Sequence, residues 1–274
     1  MTDSEDTAKA ADVVEAISNT RSLDIAARVG FAVMALLHII VGAIALTLAF
    51  GQPGEADATG AIERLADHPW GLVSLWTGFI GCLALAVWQS SEATLRARRL
   101  PTKQRLSKLV SSGFLSIAYG SVGITFGSFA VGIRSDSSEA TRDFSTSVMR
   151  TGFGAPVLIA VGMTVLGIGI YFMVKGVRMG FQEELSHFEG RRRGRLIDGL
   201  GVAGHIAKGI ALGLVGILFM VAAVKNNPAE STGLDGSLKA LRDHDLGPYL
   251  LTAIGAGFIC YGVFALIRSR YGRM

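Results

Sequence analysis

Cysteine is almost missing from this chain of 274 residues. The two present, Cys82 and Cys260, both sit inside apolar runs, which excludes a disulfide framework and a cysteine-based zinc site. Charge is scarce as well, at 18% of residues, where a soluble domain carries about 25%. The first residues, "MTDSEDTAKAADVVEAISNTRSLD", have no basic n-region and no small-residue cleavage site, so they do not read as a secretory signal. Also missing are G-x-x-x-x-G-K-[ST], H-E-x-x-H and G-x-S-x-G, and the segments between apolar runs are too short to house a nucleotide. The expectation is a non-enzyme with no cofactor. The formal net charge of +4 invites nucleic acid as a partner, but its distribution along the chain argues for membrane topology instead.

Half of the residues are hydrophobic and 35 are glycine, a combination suited to close-packed transmembrane helices. A span needs about 20 apolar residues, and six runs qualify, near 29–50, 70–89, 109–133, 155–174, 201–224 and 248–267. The third carries Ser111, Ser112, Ser116, Ser121, Thr125 and Ser128, which predicts that it faces other helices. Of the 26 Lys and Arg residues, 18 fall in the N-terminal tail, the 89–108 and 175–200 loops and the C-terminal tail, and 7 in the alternate segments. The positive-inside rule then places both termini in the cytoplasm. Arg96, Arg98 and Arg99, with Arg191, Arg192 and Arg193, would face the cytoplasmic leaflet. There they mark topology and could bind anionic lipids.

The spans repeat. "GFAVMALLHIIVGAIAL" from Gly30, "SSGFLSIAYGSVGITFG" from Ser111 and "GHIAKGIALGLVGILFM" from Gly204 align without gaps. Gly42, Gly123 and Gly216 share one column; His38, Tyr119 and Leu212 share another. The second spans align on Gly71, Gly154 and Gly247, with a one-residue adjustment beyond them. The fold expected is all-α: six transmembrane helices as three tandem helical hairpins over 25–95, 105–180 and 196–270, after a cytoplasmic tail at 1–24. Each unit has two spans, so successive units share one orientation, unlike inverted transporter repeats. Gly123–Gly127 and Gly209–Gly213 have the GxxxG spacing of close helix contacts.

Three such units, with "ARVGFAVMALLHIIVG" (27–42) and "GHIAKGIALGLVG" (204–216) as first helices and "HPWG" (68–71), "TGFG" (151–154) and "DLGPY" (245–249) before the second, resemble the bacterial "domain of unknown function 1206" membrane family. The resemblance covers about residues 25–270, with the middle repeat departing most. It implies an integral protein of the bacterial inner membrane and supplies no catalytic residues.

Several polar residues are candidates for a site. Asp67-His68 and Asp243-His244 occupy one repeat column, and both residue types ligate metals. Neighbours on a helix point in different directions, so each pair could chelate only at a turn, which Pro69 favours. The plainer reading is a relic of duplication at the end of short amphipathic interfacial helices. Inside the spans, His38, Tyr119, His205 and Lys208 are candidates because intramembrane polar groups are costly. His38 reads as a packed, hydrogen-bonded histidine, with a proton relay or ligand contact as the alternative. Lys208 reads as snorkelling to the interface, with an anionic-lipid or substrate contact as the alternative. His38 and His205 lie at different depths, which argues against a shared haem.

Three functions fit. The first is a non-enzymatic accessory, scaffold or assembly component that packs against itself or another membrane protein. The second is a small-solute or proton-linked transporter or channel lined by His38, Tyr119 and the serines of the third span. The third is a lipid- or metal-binding membrane protein.

Overall fold

The computed structural model describes residues 21–91, 93, 101–184 and 191–271. Among these, six helices are long and apolar enough to cross a membrane: α1 (Arg21–Ala49), α3 (Gly71–Ser91), α4 (Thr102–Ala130), α6 (Gly154–Val177), α7 (Arg191–Val224) and α9 (Gly247–Tyr271). Three short helices stand before the second span of each repeat: α2 (Ala58–Ala66), α5 (Ser137–Met149) and α8 (Gly233–Arg242). The architecture is all-α, with six spans in three tandem hairpins. Arg96, Arg98 and Arg99 lie outside the described residues, as do the side chains of Arg191, Arg192 and Arg193.

The chain gathers into two compact units. One joins the residues up to Met34 with Leu65–Ile133, the other Ala35–Arg64 with Arg134–Arg273. In the second unit, two seams between helices are built to the same plan. On α1 and α9, a Cβ added at Gly42 would stand 2.6 Å from the Gly255 carbonyl oxygen, and one at Gly262 would stand 2.6 Å from the Ala35 carbonyl oxygen. On α7 and α6, Gly216 and Gly162 meet at 2.7 Å and Gly209 and Gly169 at 2.6 Å in the same sense. The contacts are seven residues apart on every helix, so two turns of backbone touch backbone. Without a hydrophobic force between helices in lipid, such close approach supplies dispersion and weak Cα–H···O contacts.

The first unit carries the third seam, between α3 and α4, in a different spelling. Ungapped from Gly71, the position matching Gly255 and Gly162 is Phe79, and its ring lies 2.9 Å from where a Cβ on Gly127 would be. Reciprocally, Phe126 is fully buried against Gly78. Each helix thus sets an aromatic ring into a glycine of the other. Gly123 meets Cys82 and Leu83 where Gly42 meets Ile259 and Gly216 meets Leu166. The second spans therefore align without the expected one-residue adjustment: a phenylalanine occupies the glycine slot. Ser116 hydrogen-bonds the Ala86 carbonyl at 2.8 Å and shares a 2.7 Å bond with Ser90. Ser121 and Thr125 instead bond carbonyls of their own helix, as serines in spans often do.

The turn into each second span also recurs. Gly71, Gly154 and Gly247 donate to the carbonyls of His68, Thr151 and His244 at 2.7, 3.0 and 2.8 Å. A Cβ at these glycines would fall 2.1–2.3 Å from a carbonyl oxygen of the preceding helix, so no larger residue fits.

Candidate functional site

The metal candidates sit on those turns. Asp67 and His68 belong to one unit, Asp243 and His244 to the other, and all four are exposed. The column is held by the histidine backbone, which accepts the glycine N–H; Asp243 pairs with Arg242 at 3.2 Å. Among the described residues, no three His, Cys, Asp or Glu side chains are grouped so that they could hold a metal ion.

Three of the four intramembrane candidates come together in the second unit, around a residue the sequence reading did not single out. Tyr261 of α9 stands 4.7 Å from His38 of α1 and 5.2 Å from His205 of α7, ring centre to ring centre. The Lys208 ammonium donates to the Tyr261 hydroxyl at 3.2 Å and lies 4.4 and 4.8 Å from the ring centres of Tyr261 and Phe172. His205 is almost fully buried. Its Nδ1 is 2.7 Å from the Gly201 carbonyl, so that nitrogen carries the proton in this arrangement. Phe181 stacks on its ring at 5.1 Å, and Phe264 meets it edge-on at 5.4 Å. Tyr119 lies in the other unit, edge-on to Phe31 at 6.2 Å, and does not share the His38 cluster.

Depth follows from helix geometry. Lys208 is sixteen residues from the Val224 end of α7, about 24 Å at 1.5 Å per residue, so it lies inside a hydrocarbon core about 30 Å thick. Its head turns to the neighbouring helices α6 and α9 rather than simply snorkelling outward. Tyr261 escaped the sequence reading because an uncharged aromatic residue is ordinary in an apolar run; only the three-dimensional convergence marks it.

A second polar centre joins all three repeats outside the spans. Asp57, just before α2, accepts from the Gly60 N–H at 3.0 Å and from the Ser137 hydroxyl of α5. Asp235 of α8 accepts the Ala56 N–H at 2.9 Å and pairs with Lys239 at 2.6 Å. Both aspartates are buried. Asp136 caps α5 through the Ser138 and Glu139 N–H groups at 2.7 and 3.3 Å, and Arg134 bridges to Glu63. Burial pushes the Asp57 carboxyl above the ordinary value of 3.8, against the pull of its Ser137 and Gly60 bonds and with the repulsion of Asp235 and Asp136 added. Glu55 is raised chiefly by burial too, with like charges on Asp136, Asp57, Asp235 and Glu63 adding to it.

Three stretches, 29–96, 111–179 and 203–272, match the family described as Domain of Unknown Function (DUF1206). The chain belongs to that family. It is also similar to a protein of Bacillus subtilis (strain 168) named "Uncharacterized protein YxxB", with 25% identity over 249 residues, 90% of each chain. No solved structure matches it. Membership confirms the three tandem repeats and assigns no activity; the membrane character of the chain rests on its six long apolar helices.

Proposed function

We propose that this protein is a non-enzymatic integral component of the bacterial cytoplasmic membrane, serving as a scaffold or assembly partner with both termini in the cytoplasm. The observation that carries the reading is the pair of matched glycine seams. Backbone contact over two turns leaves α1–α9 and α6–α7 no side-chain layer to slide on, which suits a rigid platform better than a rocking carrier. The orientation rests on the Lys and Arg asymmetry. The basic loops around Arg96–Arg99 and Arg191–Arg193 supply an anionic-lipid contact that holds the platform to the inner leaflet.

Chemical crosslinking in native membranes, followed by sizing of the solubilised full-length chain, tests this. A stoichiometric complex with itself or another membrane protein supports the scaffold. A chain that runs as a monomer and gives no crosslinked species overturns it. Solute uptake by vesicles holding only this protein, abolished by His38→Ala, favours the transporter instead.

A further inference from the structure

The repeats provide an internal comparison. Taking the first spans in register, Phe31 and Met34 of repeat one match His205 and Lys208 of repeat three; taking the second spans ungapped, Leu85 and Trp88 match Tyr261 and Phe264. The two sets occupy the same place in their hairpins. Phe31 meets Trp88 edge-on at 6.0 Å and 76°, as His205 meets Phe264 at 5.4 Å and 73°. In repeat one, Phe31 and Leu85 are buried, with Met34 and Trp88 packed against them. The hairpin therefore packs this position with four apolar residues. Repeat three replaces three of the four with His, Lys and Tyr, and packing does not require the change.

The replacement is costly. A lysine at mid-helix is disfavoured by about 2.5–3.5 kcal/mol on insertion scales, and among the described residues Lys208 has no carboxylate partner. Its contacts are the Tyr261 hydroxyl and the faces of Tyr261 and Phe172. An ammonium has three N–H donors. One reaches a good acceptor and the others meet ring faces, which accept weakly. An oxyanion would satisfy them better than ring faces do, because it accepts in full hydrogen-bond geometry and brings a charge opposite to the ammonium's. Lys208 is only partly buried, so a group arriving from the lipid can reach it, and apolar rings surround the place where the rest of an amphiphile would lie.

We propose that Lys208 and Tyr261, with His205 and His38 beside them, form a membrane-embedded binding site for an oxyanion, a phosphate or carboxylate. It is carried either by an anionic lipid headgroup or by a small free anion.

The test uses the full chain in phosphatidylcholine nanodiscs, with the thermal midpoint as the readout, since a ligand that binds only the folded state raises it. Two titrations are run: phosphatidylglycerol mole fraction, and inorganic phosphate against chloride at equal ionic strength. Lys208→Met installs the residue that repeat one already packs. It is expected to need about tenfold more ligand for the same rise, the factor that corresponds to losing about 1.4 kcal/mol of binding. The basic loops contribute equally to both proteins, so the difference isolates Lys208. A Lys208-dependent rise with phosphatidylglycerol alone identifies the headgroup; one with phosphate alone identifies the free anion. Identical titrations for both proteins overturn the site. If Lys208→Met does not fold, Lys208→Arg must keep the rise and Lys208→Gln must lose it; equal rises in that pair overturn the proposal as well.

Discussion

Gly42 of α1 and Gly255 of α9 lie back to back, with each glycine's Cβ position within 2.9 Å of the other's carbonyl oxygen. Nothing larger than hydrogen fits without spreading the helices. Gly42→Ala is therefore expected to destabilise by about 1–3 kcal/mol, the usual cost of overpacking. Gly199 of α7 has nothing within 4 Å of its Cβ position, and Gly199→Ala is expected to be neutral or to gain up to about 1 kcal/mol in helix propensity. Unfolding in mixed detergent micelles measures both; equal losses at the two sites would contradict the seam.

The third seam predicts a milder effect. Ser116→Ala removes the hydroxyl that bonds the Ala86 carbonyl. Hydrogen bonds between membrane helices average about 0.6 kcal/mol, so the same assay should record a loss of that order. A loss as large as that for Gly42→Ala would mean the polar contact, and not the Phe–Gly interlock, holds α3 to α4.

Asp57 makes stability depend on pH. Its carboxyl is raised in the folded chain, so the folded state binds the proton more tightly than the unfolded one. The resulting stability is complete below the ordinary aspartate value and is lost as pH rises through the raised one. Asp57→Asn keeps an oxygen for the Gly60 N–H and an amide for Ser137, while no charge forms. Its melting temperature between about pH 4 and pH 7 should therefore fall less steeply than that of the natural chain. Parallel slopes would show that another group, such as Glu55, carries the dependence.

Asp235 acts in the opposite way when removed. Asp235→Ala leaves the buried Ala56 N–H without its acceptor, and an orphaned buried donor costs about 1–3 kcal/mol; the half-exposed Lys239 turns to water. The segment before α2 should then open first, with proteolysis appearing near residues 51–57 ahead of global unfolding. A cleavage pattern unchanged from the natural chain would count against the tie.

The spans and repeats could be read from the sequence because each depends on local signals: apolar runs of about 20 residues, and a glycine three positions after each turn carbonyl. Lys208 and His205 stood out for the same reason, as polar letters in apolar runs. Tyr261 did not, because only the approach of α1, α7 and α9 gives it partners. Asp57 and Asp235 look like ordinary loop acids until Ser137 and Ala56, each from another repeat, are brought against them. The register of the second spans beyond Gly71 was not legible, because Phe79 holds the place of Gly255 and Gly162 with its ring in Gly127. The helix α5 has few apolar residues, and its Asp136 cap lies in a stretch that reads as a loop.

Two seams with one spacing of small residues raise a problem of partner choice during insertion. α1 enters the bilayer long before α9 is made, and meanwhile its Ala35–Gly42 face matches α6 in spacing, because Gly162 and Gly169 lie as far apart as Gly255 and Gly262. Glycines cannot tell these partners apart. The discrimination falls to the side chains one turn away, Leu46 against Gly255 and Met220 against Gly162. Exchanging those two residues is the substitution most apt to trap the chain with the wrong helices joined.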